Sequence, residues 1–289
     1  MKIGLISDIH SNFEALKVVK STGEMLGVTA WWCAGDVIGY GPRPVETLML
    51  FREMMALPGS QWVIGNNDAI WLRLLSPETA RRESVIAQNL NGDELKKNEE
   101  LCEWFTQEGT LPERSSGVVC RVGEVDCLIR HTYDNALSRY IKPAGHEYRV
   151  REDVLPQLEQ HLPGAAHRAY IFGHSHYPTL YWVDGDAIQP VYVEYGVRYL
   201  LVEHEAAVIN PGGLGQPRDG DPRTAFAVLD DHDHSLVFHR LKYAVDAVVR
   251  DLFRKRYPST LIEQVREAPM AWTNLPPDYI EFLERRNAA

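Results

Sequence analysis

Residue types that bind metals recur along this chain at short, ordered intervals: Asp8-Ile9-His10, Asp36, Asn66-Asn67-Asp68, His131 and His174-Ser175-His176. Imidazole nitrogens with carboxylate or amide oxygens suit Mn, Fe, Co, Ni or Zn better than Ca or Mg. Each fragment alone is weak, since a lone His at the end of a strand is commonly structural. Their shared setting is what counts. Each follows a short apolar run: KIGLIS before Asp8, AWWCAG before Asp36, QWVIG before Asn66, DCLIR before His131 and AYIFG before His174.

Runs of this length, rich in Ile, Val and aromatic residues and bounded by Gly or polar residues, read as buried strands. In open α/β sheets, functional groups gather outside the carboxyl ends of the strands. Aligned strand ends would bring Asp8, Asp36, the Asn66-Asn67 pair and the four histidines into one crevice. Between the first two runs, residues 13–26 carry apolar side chains at helical spacing, with Asn12 as N-cap and Gly27 as stop. That is the β-α-β opening of a layered α/β fold. A loop at 39–44 leads to a second helix near 45–55. From Ala69 to about Arg114 the texture becomes charged and helical, which reads as a helical cap inserted beside the crevice. Strands resume at 118–122 and 125–129, a helix is expected near 154–161, and shorter strands follow. Asp184-Gly185-Asp186 reads as a hairpin turn. Mixed-charge helices from Val245 onward are expected to pack across the outside. The expected organisation is a core over 1–250, interrupted by a cap at 69–115, with a helical extension at 251–289.

Composition narrows the function. The chain has 289 residues, 45% hydrophobic and 24% charged, ample for a globular core. A formal charge of -10 argues against holding a long nucleic-acid backbone. It leaves room for a nucleotide held by bound metals. Cys33, Cys102, Cys120 and Cys127 form no CxxC pair, which suits reduced thiols in a cytoplasm. The first strand starts at Lys2, leaving no room for a signal peptide, and no run approaches a membrane span. A cytoplasmic location without membrane attachment is expected; the oligomeric state has no signature.

The order of the five blocks resembles the calcineurin-like metallophosphoesterase superfamily, over residues 2–176 by motif and to about 242 by fold. The resemblance implies a four-layer αββα sandwich with two adjacent divalent transition-metal ions, Mn among them. Asp8, His10 and His176 would hold one ion, and Asn66, His131 and His174 the other, with Asp36 bridging. Branches of the family include phosphodiesterases, diadenosine tetraphosphate hydrolases and protein phosphatases. One position departs from the family pattern. The Gly-Asn block normally continues with a His that can protonate the leaving group, and here Asn67 stands there. An amide donates a hydrogen bond but gives up no proton near neutral pH. A weakened enzyme, an enzyme for good leaving groups and a sensor that binds without turnover all remain open. Asp68, which orients that His in the family, loses its usual partner.

The segment from Asn210 to Arg223 resembles the Asn-Pro-Gly-Ser loop of one bacterial branch, with Gly213 where Ser is common. It lacks the Lys-Ser/Thr ending of a P-loop. Arg218 or Arg223 could clamp a phosphate, against the plainer reading of a turn with a structural Arg–Asp pair. Asn12 could hydrogen-bond near the metals or serve only as a cap, and Tyr40 and Arg43 could line the crevice. Trp71, Trp104 and Phe105 could stack a base, or bury the cap against the core. Asp231-His232-Asp233-His234 reads as a solvated turn. The expectation is a two-metal phosphoesterase acting on phosphodiester or phosphoanhydride bonds of a small nucleotide-type substrate. Asp36 and Asn67 would be its catalytic residues, and Asn12, Arg218 and Arg223 would contact the substrate. A metal or nucleotide sensor and a phosphoprotein phosphatase are the alternatives.

Overall fold

Trp31 and Trp32, neighbours in sequence, are both buried, and on opposite faces of one strand. Side chains alternate across a strand, so a sheet with apolar residues on both faces must be covered on both. A computed structural model of the chain describes residues 1–132, 140–272 and 274–288. Its first half runs β1 (Lys2–Ile6), α1 (Phe13–Met25), β2 (Val28–Cys33), α2 (Pro44–Met55), β3 (Gln61–Trp62) and α3 (Asn66–Trp71). Then come α4 (Arg82–Leu95), α5 (Glu99–Gly109) and α6 (Pro112–Ser116), followed by β4 (Val118–Val122) and β5 (Val125–Ile129). A short α7 (Glu147–Arg149), a π-turn at Val150–Val154 and α8 (Leu155–His161) lead to β6 (His167–Ile171), β7 (Pro178–Asp184) and β8 (Ala187–Val191). β9 (Arg198–Leu200), β10 (Ala206–Pro211), β11 (Thr224–Asp230) and β12 (Ser235–Leu241) complete the strands. The chain ends in α9 (Val245–Arg254), α10 (Ser259–Glu267) and α11 (Pro277–Ala288).

The strands form two six-stranded sheets, ordered β3-β2-β1-β11-β12-β9 and β4-β5-β6-β10-β7-β8. Between them lies the central core, with Ile3, Leu5, Trp32, Leu229 and Phe238 from one sheet meeting Ile129, Ile171, Leu180 and Ile209 from the other. The outer face of the first sheet buries Trp31, Phe226 and Val228 with Leu16 and Val19 of α1, Phe51 of α2 and Phe105 of α5. The outer face of the second packs Leu128, Tyr170 and Val208 against Val150, Val154 and Leu158. Two sheets flanked by helices are the αββα layering expected from the motifs. Gly4 shows how closely neighbouring strands fit: a Cβ there would lie 2.3 Å from the ring of its cross-strand partner Trp31.

Two details differ from the sequence-based elements. Only Gln61 and Trp62 pair in β3; beyond them Val63 N–H still donates to Cys33 O (3.1 Å), but Ile64 N–H turns to Arg114 O (2.9 Å). β8 was not expected; it pairs with β7 through the two-residue turn at Gly185-Asp186, where Gly185 takes φ 54°. α9 runs through residues 250–251 and packs with α10. The four cysteines are free. Among the described residues, no helix is long and apolar enough to cross a membrane.

Candidate metal centre

Parallel pairing explains why the polar blocks converge. β1, β2 and β3 run parallel in one sheet, and β5, β6 and β10 run parallel in the other. Asp8 and His10 follow β1, Asp36 follows β2, Asn66 follows β3, His131 follows β5, and His174 and His176 follow β6. The 211–218 loop follows β10. Backbone bonds lace these turns together, from Asp8 N to Gly35 O (2.9 Å), Leu214 N to Ser7 O (3.0 Å) and Gly213 N to His176 O (3.1 Å).

The turns are held in unusual backbone. Asp8 (φ 55°), His10 (47°), Asp36 (56°), His174 (67°) and His176 (62°) all occupy the left-handed region. For residues other than Gly this conformation is uncommon and mildly costly, and it clusters at functional sites. Glycines beside the ligands are required by space. A Cβ on Gly65 would lie 2.1 Å from Asp36 Oδ1, and one on Gly173 would lie 2.1 Å from Ser7 Oγ.

The donor atoms fall into two sets. Asn66 Oδ1 lies 2.9 Å from His174 Nδ1 and 3.1 Å from His131 Nε2, which is 3.5 Å from Asp36 Oδ2. His176 Nε2 lies 3.2 Å from Asp8 Oδ1 and 3.3 Å from His10 Nε2, which is 3.8 Å from Asp36 Oδ2. Ligands about 2.0–2.2 Å from a common ion stand roughly 3.0–3.5 Å from one another, so each set is spaced to share a cation. All seven residues the motifs nominate as ligands are therefore together. The rings are aimed from behind: His131 Nδ1 meets Ala34 O (2.6 Å), His176 Nδ1 meets Gln216 O (2.5 Å) and His10 Nδ1 faces Ile38 O (3.4 Å). Such contacts leave Nε2 as the ligand nitrogen. Asp8 accepts from Ser7 Oγ (2.6 Å) and from the His174 backbone N–H (3.1 Å).

Electrostatics fit the same reading. Burial works to raise the Asp8 carboxyl, but the neighbouring His176, His131 and His10 hold it well below the usual range. Burial lowers His10 and His176, which favours the neutral imidazole that a cation binds. Asp36 is raised by burial and by the Asp8 charge. Two buried carboxylates thus share a site whose only ion-pair neighbours among the described residues are imidazoles, with no Lys or Arg on either.

Asn67 is fully engaged. Its backbone N–H and Nδ2 donate to the Asp36 carboxylate (2.8 and 2.7 Å), while its Oδ1 accepts from Ser84 Oγ (2.7 Å) and Gln88 Nε2 (3.0 Å) of α4. Asp68 accepts from the N–H groups of Val37, Ile38 and Gly65, tying the β2 and β3 turns together. Burial and the Asp36 charge raise it to about 7 despite those donors.

A cavity of about 100 Å³ opens over Asp36, Asn66, Asn67, His174 and His176, with Arg218 and Tyr40 on its wall. Arg223, expected as an alternative phosphate clamp, is instead bidentate on Asp221, Nε to Oδ1 (3.1 Å) and Nη2 to Oδ2 (2.8 Å). Asn12 caps α1 through Ala15 N (3.2 Å) and donates to Gly215 O (2.8 Å), so its amide holds protein atoms. Arg43 pairs with Glu14 and Asp251, joining α1 to α9. Trp104 and Phe105 pack on Trp62 at 6.3 and 5.7 Å, burying the cap against the first sheet. Residues 231–234 form the β11–β12 turn. Sequence reasoning missed Ser84 and Gln88, whose spacing of four on one helix face was the available signal. It also missed Asn210 as a brace. Asn210 Nδ2 donates to Gly173 O (2.8 Å) and Ser175 Oγ (2.9 Å), fixing the turn that carries His174 and His176.

The model of the calcineurin-like phosphoesterase superfamily domain matches residues 1–234. An uncharacterized protein of Methanocaldococcus jannaschii is 27% identical over 263 residues, 91% of this chain and 96% of that one. A symmetrical bis(5'-nucleosyl)-tetraphosphatase of Vibrio vulnificus is 26% identical over 124 residues, 41% of this chain and 43% of the enzyme. The match therefore spans less than half of that relative. The crystal structure of a metallophosphoesterase from Sphaerobacter thermophilus superposes with TM-score 0.68 at 26% identity, covering 93% of this chain and all of that one.

Proposed function

The chain belongs to the calcineurin-like phosphoesterase superfamily and is a hydrolase of phosphoric esters, and from that premise we propose a cytoplasmic two-metal enzyme that cleaves phosphodiester or phosphoanhydride bonds of a small nucleotide-type substrate. The observation that carries it is the pairing of two donor sets that share Asp36. Asp8, His10 and His176 would hold one divalent transition-metal ion and Asn66, His131 and His174 the other, with Asp36 available to both. When bound, such ions neutralise phosphoryl oxygens and lower the pKa of water in the site.

The chain's own residues do the rest. Arg218, on the cavity wall, places a guanidinium where a phosphate would enter, and can bind it in bidentate fashion. Asn67 orients Asp36 with two hydrogen bonds and has no proton to give. The reaction therefore favours bonds whose leaving group departs as a stable anion. A phosphoanhydride qualifies, because its leaving group is itself a phosphate. That chemistry agrees with the Vibrio relative's name, and the net charge of -10 agrees with a small anionic substrate rather than a long nucleic acid.

The test is a screen of the metal-loaded protein against alkyl phosphates, nitrophenyl diesters and dinucleoside polyphosphates. Turnover of the last two, far above the first, is expected. Full metal occupancy with no hydrolysis of any of them would replace the enzyme with a binding protein.

A further inference from the structure

The cavity over Asp36 does not end at the metal ligands. Tyr40, Arg81, Tyr140 and Arg218 line it and also line a second cavity of about 400 Å³. The far wall of that second cavity is C-terminal, made by Thr260 and Gln264 of α10 and by the 269–272 turn ending in Trp272. These residues lie beyond the 1–234 stretch that matches the family domain. The turn is docked firmly on the core. Ala271 N–H donates to Arg218 O (2.9 Å), and Trp272 stacks on Tyr177 at 4.5 Å. Tyr140 meets Trp272 edge-on at 5.6 Å and stacks on the ligand His174 at 4.4 Å. An aromatic path thus runs from the metal centre to the C-terminal wall.

The charges along this path point to an anion. Among the described residues, the Arg218 side chain has neutral contacts, Gln216 Oε1 at 2.8 Å and the Tyr40 face at 5.8 Å, and no ion pair. Arg81 is exposed and forms no ion pair among the described residues. Glu83 is the one carboxylate on the wall of the larger cavity, set against two guanidiniums. Arg43, Arg168 and Arg240, by contrast, each face a carboxylate. Unpaired guanidiniums beside an aromatic wall match a nucleoside phosphate, with phosphate on the arginines and base on the rings.

We propose that the C-terminal turn and α10 complete the substrate site, forming a subsite for the nucleoside-phosphate part of the substrate. Arg81 and Arg218 hold its phosphate, and Trp272 with Tyr140 holds its base. The inference rests on the phosphoesterase reading above and adds which segment selects the substrate. Specificity then depends on Trp272, outside the shared catalytic domain, together with Arg81, Tyr140 and Arg218 inside it.

Adenosine diphosphate is the probe, titrated by calorimetry into the full-length protein. Diadenosine tetraphosphate and methyl nitrophenyl phosphate are the paired substrates. Trp272→Ala should weaken adenosine diphosphate about tenfold, the scale of a single base–aromatic stack. It should lower the ratio of kcat/KM for diadenosine tetraphosphate over methyl nitrophenyl phosphate by a similar factor. Trp272→Phe should recover most of both, and Arg81→Ala, at an exposed position, should shift both in the same direction. Equal losses on the two substrates, or unchanged nucleotide affinity in Trp272→Ala, would overturn the subsite. A wild-type protein that cleaves nitrophenyl diesters but binds no adenosine diphosphate overturns it too, while the catalytic reading stands. Binding that depends on Trp272 with no hydrolysis of any ester supports the subsite and removes the catalytic reading.

Discussion

Asp8 and Asp36 are buried at the strand ends among imidazoles and amides, and Asp219 and Asp221 are buried equally deeply in the loop after β10. The second pair is surrounded by guanidiniums. Arg240 (2.6 and 3.1 Å) and Arg286 (2.8 Å) hold the Asp219 carboxylate, and Arg223 holds Asp221. The first pair has no guanidinium partner among the described residues, and Arg218 sits on the cavity wall. Burying a carboxylate is costly unless it is paired and hydrogen-bonded. One cluster meets that requirement internally; the other leaves it for a bound cation to meet. Backbone geometry separates them as well, since Asp8, His10, Asp36, His174 and His176 have positive φ while none of the five ion-pairing residues does. Carboxylates of similar burial therefore serve opposite purposes. Charge balance tells them apart.

The largest expected effect is on the unbalanced cluster. Chelation should reduce hydrolysis to background without unfolding the protein, and readdition of Mn or Zn should restore it. Metal at a hundred times its dissociation constant should stabilise the fold by about 2.7 kcal/mol, seen as a rise in Tm. Asp36→Asn should abolish both the activity and the metal-dependent rise, and should leave the metal-free protein at least as stable, because it removes one of two facing carboxylates. Metal-dependent turnover surviving in Asp36→Ala would break the shared-ligand assignment.

Next is the balanced cluster. Asp219→Ala strands Arg286 and leaves Arg240 only its Asp221 contact, and removing one partner of a buried ion pair costs about 3–5 kcal/mol. Urea unfolding should show that loss, while kcat of the molecules still folded stays close to wild type. A fall in kcat without a fall in stability would mean that the cluster acts on the site.

These contrasts also mark what the sequence could disclose. The convergence of the seven candidate ligands was legible because each follows an apolar run at a strand's carboxyl end, and parallel pairing brings those ends together. Arg218 and Arg223 could not be told apart, because either could face a carboxylate or a cavity. The distinction depends on Asp221, which accepts the Arg223 backbone N–H (2.9 Å) and its side chain in one tight turn. Ser84 and Gln88 were hidden for another reason: polar residues on a charged helix normally face water. The C-terminal wall left no pattern, since Trp272 acquires meaning only through docking on Tyr177 and Tyr140. The two-residue β3 was overread because Val63 and Ile64 are buried without pairing as strand.

A smaller effect concerns pH. Although burial works to raise the Asp221 carboxyl, Arg223 and Arg240 hold it below its ordinary value. A carboxyl depressed in the folded state contributes stability that is fully present above its unfolded pKa of about 3.9 and lost as pH falls through the folded value. Asp221→Asn should therefore lower stability at pH 7 and flatten the acid limb of stability against pH. Parallel limbs in wild type and variant would show that the pair contributes nothing at neutral pH.

The smallest effect is expected where the two kinds of design meet, at Asn67. Restoring the family's His there would be expected to return a general acid worth about 10²–10⁴-fold on poor leaving groups. The surroundings oppose it. Asn67 Oδ1 is the acceptor for both Ser84 and Gln88, and a Cβ built on Gly39 would lie only 3.3 Å from the Asn67 side chain. A larger ring must displace the Gln88 amide or leave it without a partner, at about 1–3 kcal/mol. Asn67→His alone should therefore lose stability and gain less than about tenfold on alkyl diesters. Adding Gln88→Ala makes room for the imidazole and should bring the gain to about tenfold, the low side of the general-acid range because nothing else is arranged to hold that ring. Nitrophenyl diesters, which leave without a proton, should change little in either variant. Metal content must be measured alongside. Loss of one ion in Asn67→His would make Asn67 rather than Asn66 the ligand, and the full gain from the single substitution would show that α4 does not constrain the position at all.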